Sequence, residues 1–311
     1  MQRRTFIASG VALATSAAAP VASAANTKIV VGYTMVPDFV GAFIAKEQGF
    51  FEKRGLDVEL QAITLTSNVP AALVSNSIQI GGTTPPVFLQ AADSGLDLLG
   101  VASGSVYDPT RNLIGIVSRQ GSNIKTAQDL VGKKFAVPGL NGTLHVLVRR
   151  WLSIKGVDPK QVSFIEVPVP QIPDVLKGGS VDAAVTGEPF IGRIKGSGIG
   201  DVIPGFDDEM PAGFSTVVYT ATRSWVAANG AALKAFREAI ADAVTFANQN
   251  RAEAYADLGK YFKVPPPVLN ATPWPQLTSD ITETHLRFWI DTMRSQAMLK
   301  KQPMVGSLIA R

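Results

Sequence analysis

The chain has 311 residues, more than one small core needs and enough for two lobes. It contains no cysteine, which excludes disulfides, thiolate metal sites and a cysteine nucleophile. A formal net charge of only +4, with no basic tract, argues against nucleic acid as a partner, and His145 and His285 lack the paired spacing of a metal site.

Met1-Gln2-Arg3-Arg4-Thr5-Phe6-Ile7 sets two adjacent arginines ahead of a mildly apolar stretch, and Ala22-Ser23-Ala24 offers a small-x-small cleavage site. The Arg3-Arg4-x-Phe6-Ile7 pattern resembles a twin-arginine export signal, with an ordinary Sec signal as the alternative. On either route residues 1–24 are removed near Ala24 and take no part in the fold. The stretch is too weakly hydrophobic for a membrane anchor. With no cysteine to carry a lipid, the exported chain is expected in the periplasm.

From Lys28 onward strand and helix patterns alternate. Lys28–Tyr33 reads as a buried strand, and Asp38 is placed to cap a helix through Phe39, Phe43, Ile44 and Ala45 that stops at Gly49. A second strand over Asp57–Gln61, a short helix from about Asn68 to Ser75 and a third strand over Ile78–Gly82 follow. Thr83-Thr84 then turns into a helix opened by Pro85-Pro86 and continued through Val87, Leu89 and Ala91. Glycines, two hydroxyls and backbone N–H groups at this strand-to-helix turn suit an anion. Strands over Leu98–Ser103 and Leu113–Val117 lead to a one-turn helix capped at Thr126 and stopped by Gly132.

A second joint of the same kind comes next. Phe135-Ala136-Val137 is a compact apolar run broken by Pro138-Gly139, and Leu144, Leu147, Val148, Trp151 and Leu152 recur at helical spacing. Asn141 or Thr143 is placed as N-cap, and Gly142 lets backbone approach whatever lies before the helix. A helix start carries unpaired N–H groups and partial positive charge, which favour a carboxylate, sulfonate or phosphate. Strand Val162–Val167, helix Gln171–Lys177 and strand Val181–Val185 follow, and Glu188-Pro189-Phe190 opens a helix at a third joint. Phe214–Thr220 reads as a strand, Ala231 to about Tyr261 as amphipathic helix, Pro265-Pro266-Pro267 as a break, and Leu277 to Gln296 as a last helix. Such alternation predicts α/β lobes with largely parallel sheets and a ligand crevice beyond the strand C-termini.

Several blocks, taken together and in order, carry a family resemblance. They are Tyr33, Ala45-Lys46-Glu47-Gln48-Gly49-Phe50-Phe51 with Gly55-Leu56-Asp57-Val58, Asp129-Leu130-x-Gly132-Lys133-Lys134, and Val181-Asp182-Ala183-Ala184-Val185 with Glu188-Pro189-Phe190. Nearly the whole mature chain resembles the substrate-binding proteins of ABC importers for nitrate, sulfonates and related compounds, a group that also holds thiamine-precursor binders. The resemblance implies a type II periplasmic-binding fold, two α/β lobes with a ligand cleft between them. Lobe one would span 25–114 and 217–311, including the C-terminal helices, and lobe two 115–216, with crossovers near Asn112–Val117 and Phe214–Tyr219. It implies a monomer that captures a small organic anion, a sulfonate or carboxylate, and passes it to an inner-membrane permease with its ATPase. A nitrate binder, a thiamine-pyrimidine-precursor binder and a sensor are the alternatives; missing cysteines disfavour the pyrimidine precursor. An enzyme would need a nucleophile, metal set or redox group that the sequence does not display, and no cofactor is implied.

Carried onto this chain, the resemblance sets Tyr33, Met35, Thr83 and Thr84 on the lobe-one wall, Asn141, Gly142 and Thr143 opposite, and Glu188 at the third joint. Thr83 and Thr84 either meet a ligand or cap the helix behind them. Glu188 in an anion site has to pair with a cation, accept from a ligand amine or cap its own helix. Arg111, beside a crossover, is the charge placed to neutralise an anion. Tyr33, Phe39, Phe88, Tyr107, Phe190 and Phe214 fall near cleft-side turns, and two or three of these six are expected to touch ligand, Tyr33 and Phe214 among them. Gly187 stands where many relatives carry a large aromatic, which leaves room for a ring or a longer chain.

Overall fold

The computed structural model describes residues 26–311 apart from Lys263 and Gln302; the expected export signal lies outside the described residues. The first sheet begins with β1 (Thr27–Tyr33), α1 (Val40–Glu47), β2 (Leu56–Ala62), α2 (Val69–Val74), β3 (Ile80–Thr83), α3 (Pro85–Asp93) and β4 (Leu98–Val106). The chain then builds a second sheet from β5 (Ile114–Arg119), β6 (Lys134–Val137), α4 (Thr143–Ile154), β7 (Ser163–Glu166), α5 (Ile172–Lys177), β8 (Ala183–Gly187), α6 (Phe190–Gly196) and β9 (Gly200–Ile203). It returns through β10 (Ser215–Thr222) and finishes with α7 (Arg223–Ala228), α8 (Gly230–Gln249), α9 (Arg251–Tyr261), α10 (Pro266–Ala271), β11 (Gln276–Leu277) and α11 (Glu283–Ser295).

The sheet orders are β11-β4-β10-β3-β1-β2 and β7-β6-β8-β5-β9. Each has a parallel set of three reaching one edge, β2-β1-β3 in one and β7-β6-β8 in the other. Beside each set lies a strand that has just arrived from the other sheet. β10 runs antiparallel between β3 and β4, and β5 runs antiparallel between β8 and β9. The sheets are therefore mixed, not largely parallel, because a strand entering from the opposite lobe meets the parallel set head-on. The central strands are buried along most of their length, as expected where helices cover both faces. On the side of α3 and α4 the apolar core is continuous between lobes, with α11 packed against both helices and Trp289 donating its indole N–H to the Ser215 carbonyl at 2.7 Å.

Several local expectations change for identifiable reasons. Asp38 caps no helix; its carboxylate is engaged by two hydroxyls at the end of the first sheet. Thr126 caps nothing either, since Asp129 accepts from its N–H and hydroxyl. The amphipathic pattern after Ala231 divides at Asn250 into α8 and α9. Pro266 and Pro267 open α10 instead of breaking the chain, because the first helical turn needs no N–H there. The last helix starts at Glu283, capped by Thr282, because Leu277 is taken up in β11 opposite Ser105.

Close packing ties β4 to the turn that follows β1. A Cβ on Gly104 would stand 2.6 Å from Val217 Cγ2 and 2.7 Å from the Asp38 carbonyl oxygen. Gly104→Ala is expected to destabilise the protein by about 1–3 kcal/mol, read as a lower urea midpoint at unchanged slope.

Candidate functional site

The parallel strands of both sheets point their C-terminal ends into the same space. Turns after β1, β3, β6 and β8, together with the segments that cross between sheets, enclose a cavity of about 120 Å³. That exceeds by several-fold the ~10–15 Å³ that one water needs. Its wall is largely apolar, with Met35, Leu144, Leu147, Phe190 and Phe214 among the lining residues.

The joint between β6 and α4 supplies backbone donors. Asn141 is held in the left-handed region at φ 62°, its N–H donating to His145 Nδ1 at 2.8 Å, while Gly142 N–H donates to the Gly139 carbonyl at 3.0 Å. Gly142 is the N-cap and brings no side chain, so the first-turn N–H groups of α4 from Thr143 onward have no side-chain cap. Neither Asn141 nor Thr143 caps the helix. The Thr143 hydroxyl donates instead to the Thr216 carbonyl of β10 at 3.0 Å, a bond from the second-sheet helix α4 to a strand of the first sheet.

The joint between β3 and α3 faces it. The Thr84 hydroxyl, buried and without a partner among the described residues, lies 3.6 Å from where a Cβ on Gly142 would stand. This joint is poorer in donors than expected. Pro85 and Pro86 occupy the first two helical positions and have no N–H, so α3 does not mirror α4 as an anion site. Neither threonine caps α3, and Thr83, 1% exposed, lies behind the cavity wall.

At the third joint Glu188 lines the cavity and caps α6, accepting the Gly192 N–H on Oε2 at 3.0 Å. Gly187 lines it too, and a Cβ there would stand 3.1 Å from the Leu113 carbonyl. Of the sequence-derived candidates, Met35, Thr84, Gly142, Thr143, Glu188 and Phe214 line the cavity, whereas Tyr33, Thr83, Arg111 and Asn141 do not. Tyr33 packs edge-on against Phe43 in the first-lobe core. Arg111 is turned to Asp108 at 2.8 Å, the Trp274 carbonyl at 2.7 Å and Gln276 at 2.5 Å, so its guanidinium is spent on the lobe-one surface. Among the aromatics, Tyr107, Phe190 and Phe214 line the cavity, while Phe39 and Phe88 are core.

A polar node escaped the sequence reading. Asp38 Oδ1 accepts from Ser105 Oγ at 2.5 Å and from Thr216 Oγ1 at 2.6 Å, and Asp38 and Thr216 both line the cavity. Thr216 is free to do so because β10 bulges there: Ser215 pairs with Val106 and Val217 with Ser105, leaving Thr216 outside the ladder. The only visible signal was a hydroxyl pair, Ser215-Thr216, at the start of an otherwise apolar strand.

His145 sits in the first turn of α4, 4% exposed and edge-on to Phe164. Because Nδ1 accepts from Asn141, Nε2 carries the proton, and it finds no partner among the described residues. Burial, with the nearby Arg149 charge adding to it, lowers the His145 pKa to about 4. Among the described residues no group of three His, Asp or Glu could hold a metal ion, and no helix is long and apolar enough to cross a membrane.

The sequence model of a family described as NMT1/THI5 like matches residues 36–254. A protein of Brucella abortus (strain 2308), provisionally named a binding protein, is 29% identical over 274 residues, covering 85% of this chain and 80% of its own length. The fold is shared with the alkanesulfonate-binding protein SsuA from Xanthomonas axonopodis pv. citri, at TM-score 0.77 and 20% identity over 93% of this chain and 100% of that one. It is shared as well with the periplasmic nitrate-binding protein NrtA from Synechocystis PCC 6803, at TM-score 0.74 and 21% identity over 90% of this chain and 84% of that one.

The buried histidine has a consequence for pH. In the unfolded chain it protonates near its ordinary 6.5, in the folded protein only near about 4, so between these values the unfolded state holds more protons. Stability therefore falls as pH drops through that window. His145→Gln, which keeps an acceptor for the Asn141 N–H, is expected to remove up to about 3 kcal/mol of this pH dependence, measured by urea unfolding at neutral and at acid pH.

Proposed function

The chain belongs to the NMT1/THI5-like family, and on that premise we propose that it is the periplasmic solute-binding component of an ABC importer. It captures one small organic molecule between its lobes and delivers it to an inner-membrane permease with its ATPase. The observation that carries this reading is the cavity of about 120 Å³ where Thr84 and Gly142 face each other from the two sheets. An apolar wall with a few convergent polar groups is the usual make-up of a site that binds without reacting.

The acidic head of a sulfonate or carboxylate fits the start of α4, whose N–H groups and dipole favour negative charge. Only one helix serves this purpose, given the prolines of α3. A nitrate-sized anion would leave most of the cavity and its apolar wall unused, so an aliphatic or aromatic organic acid is the better match. Gly187 lines the cavity without a side chain. Binding then draws the lobes together over the ligand, and that closed form is the one the permease recognises.

Thermal-shift screening of the mature protein against alkanesulfonates and aromatic carboxylates, followed by calorimetry, tests this. A member of the panel is expected to raise the melting temperature and bind one per chain. Gly142→Val, which sets a branched side chain between the joints, is expected to weaken that binding at least tenfold while the protein stays folded. Silence from every acid, with neutral metabolites binding instead, would contradict the ligand class.

A further inference from the structure

Among the described residues, the cavity that would receive an organic acid has no basic side chain in its wall. Its acidic lining residues are Asp38, Asp108 and Glu188, beside the Tyr107 phenol, and no Lys, Arg or His lines it among the described residues. Two of these acids have employment in the protein. Asp108 pairs with Arg111 at 2.8 Å, and Glu188 accepts the Gly192 N–H that starts α6.

Asp38 is different. Its Oδ1 takes both available hydroxyls, Ser105 and Thr216, and these are neutral. Among the described residues no Lys or Arg lies within ion-pair distance of it, and no hydrogen bond reaches Oδ2. The hydroxyls fix the direction of the carboxylate without cancelling its charge. The carboxylate is only partly buried in an open cavity wall, and a ligand that excludes solvent from it has to bring the counter-charge or further donors that the protein does not provide. The positive start of α4 lies close by: the carbonyl of Thr216 is bonded to Thr143, and its hydroxyl to Asp38. The cavity thus has a positive pole and a negative pole joined through one residue.

We infer that Asp38 is the specificity-determining carboxylate of this cleft, and that the ligand carries a protonated amine a few atoms from its acidic head. This rests on the proposed function and narrows it from organic acids in general to amine-bearing ones. The ammonium completes the Asp38 node at Oδ2 while the acid lies on the α4 N–H groups. A bare acid leaves Asp38 uncompensated and adds a like charge to the same cavity.

Calorimetry with matched pairs tests it: aminopropanesulfonate against propanesulfonate, and para-(aminomethyl)benzoate against para-methylbenzoate. In at least one pair the amine-bearing member is expected to bind tenfold or more tighter. Asp38→Asn keeps an acceptor for Ser105 and Thr216, and is expected to erase that preference while leaving the melting temperature of the ligand-free protein unchanged. Equal binding within both pairs, or a preference that survives in Asp38→Asn, overturns the inference and leaves the proposed function standing. Absence of binding by all four compounds overturns both.

Discussion

Thr216 holds the two halves of the molecule to one another. It stands at the bulge where β10 re-enters the first sheet, its carbonyl accepting from Thr143 of the second lobe and its hydroxyl donating to Asp38 of the first. That arrangement exists only because the sheets exchange strands, β5 going one way and β10 the other. A chain that crosses twice cannot let its lobes drift apart, yet the crossings are short enough to bend. The cavity sits where both sets of strand ends and both crossings converge.

The electrostatics follow from backbone as much as from side chains. One helix start, that of α4, is uncapped and rich in N–H groups; its counterpart at α3 is silenced by two prolines. The wall between them carries carboxylates and hydroxyls but, among the described residues, no cation. Ser67 adds a second bond between lobes, donating to Glu166 at 3.0 Å, while Glu166 also accepts the Leu140 N–H of the loop before α4 at 3.0 Å. These bonds across the cleft are neutral or singly charged, each worth about 0.5–3 kcal/mol and weak enough to break for ligand entry, while the apolar core shared by α3, α4 and α11 keeps the lobes joined.

Much of this was legible in sequence. The strand-turn-helix joints at Thr84, Gly142 and Glu188 declare themselves by glycine, proline and hydroxyl residues between apolar runs, and all three border the cavity. Local pattern does not encode which strand inserts where. The mixed sheets, the bulge that frees Thr216 and the pairing of Leu277 with Ser105 arise from contacts between segments far apart in the chain. The same limit explains Asp38 and Arg111. An aspartate before a helix reads as a cap until the hydroxyls of β4 and β10 are brought to it. An arginine beside a crossover reads as a cleft cation until Trp274 and Gln276 claim it.

Small-angle X-ray scattering of the mature protein, free and saturated with a ligand found by titration, tests the central claim most directly, because lobes that close over a ligand make the molecule more compact. The account predicts a smaller radius of gyration in the saturated protein, as the Thr143–Thr216 and Ser67–Glu166 bonds form across the cleft. An identical radius in the two states would contradict it.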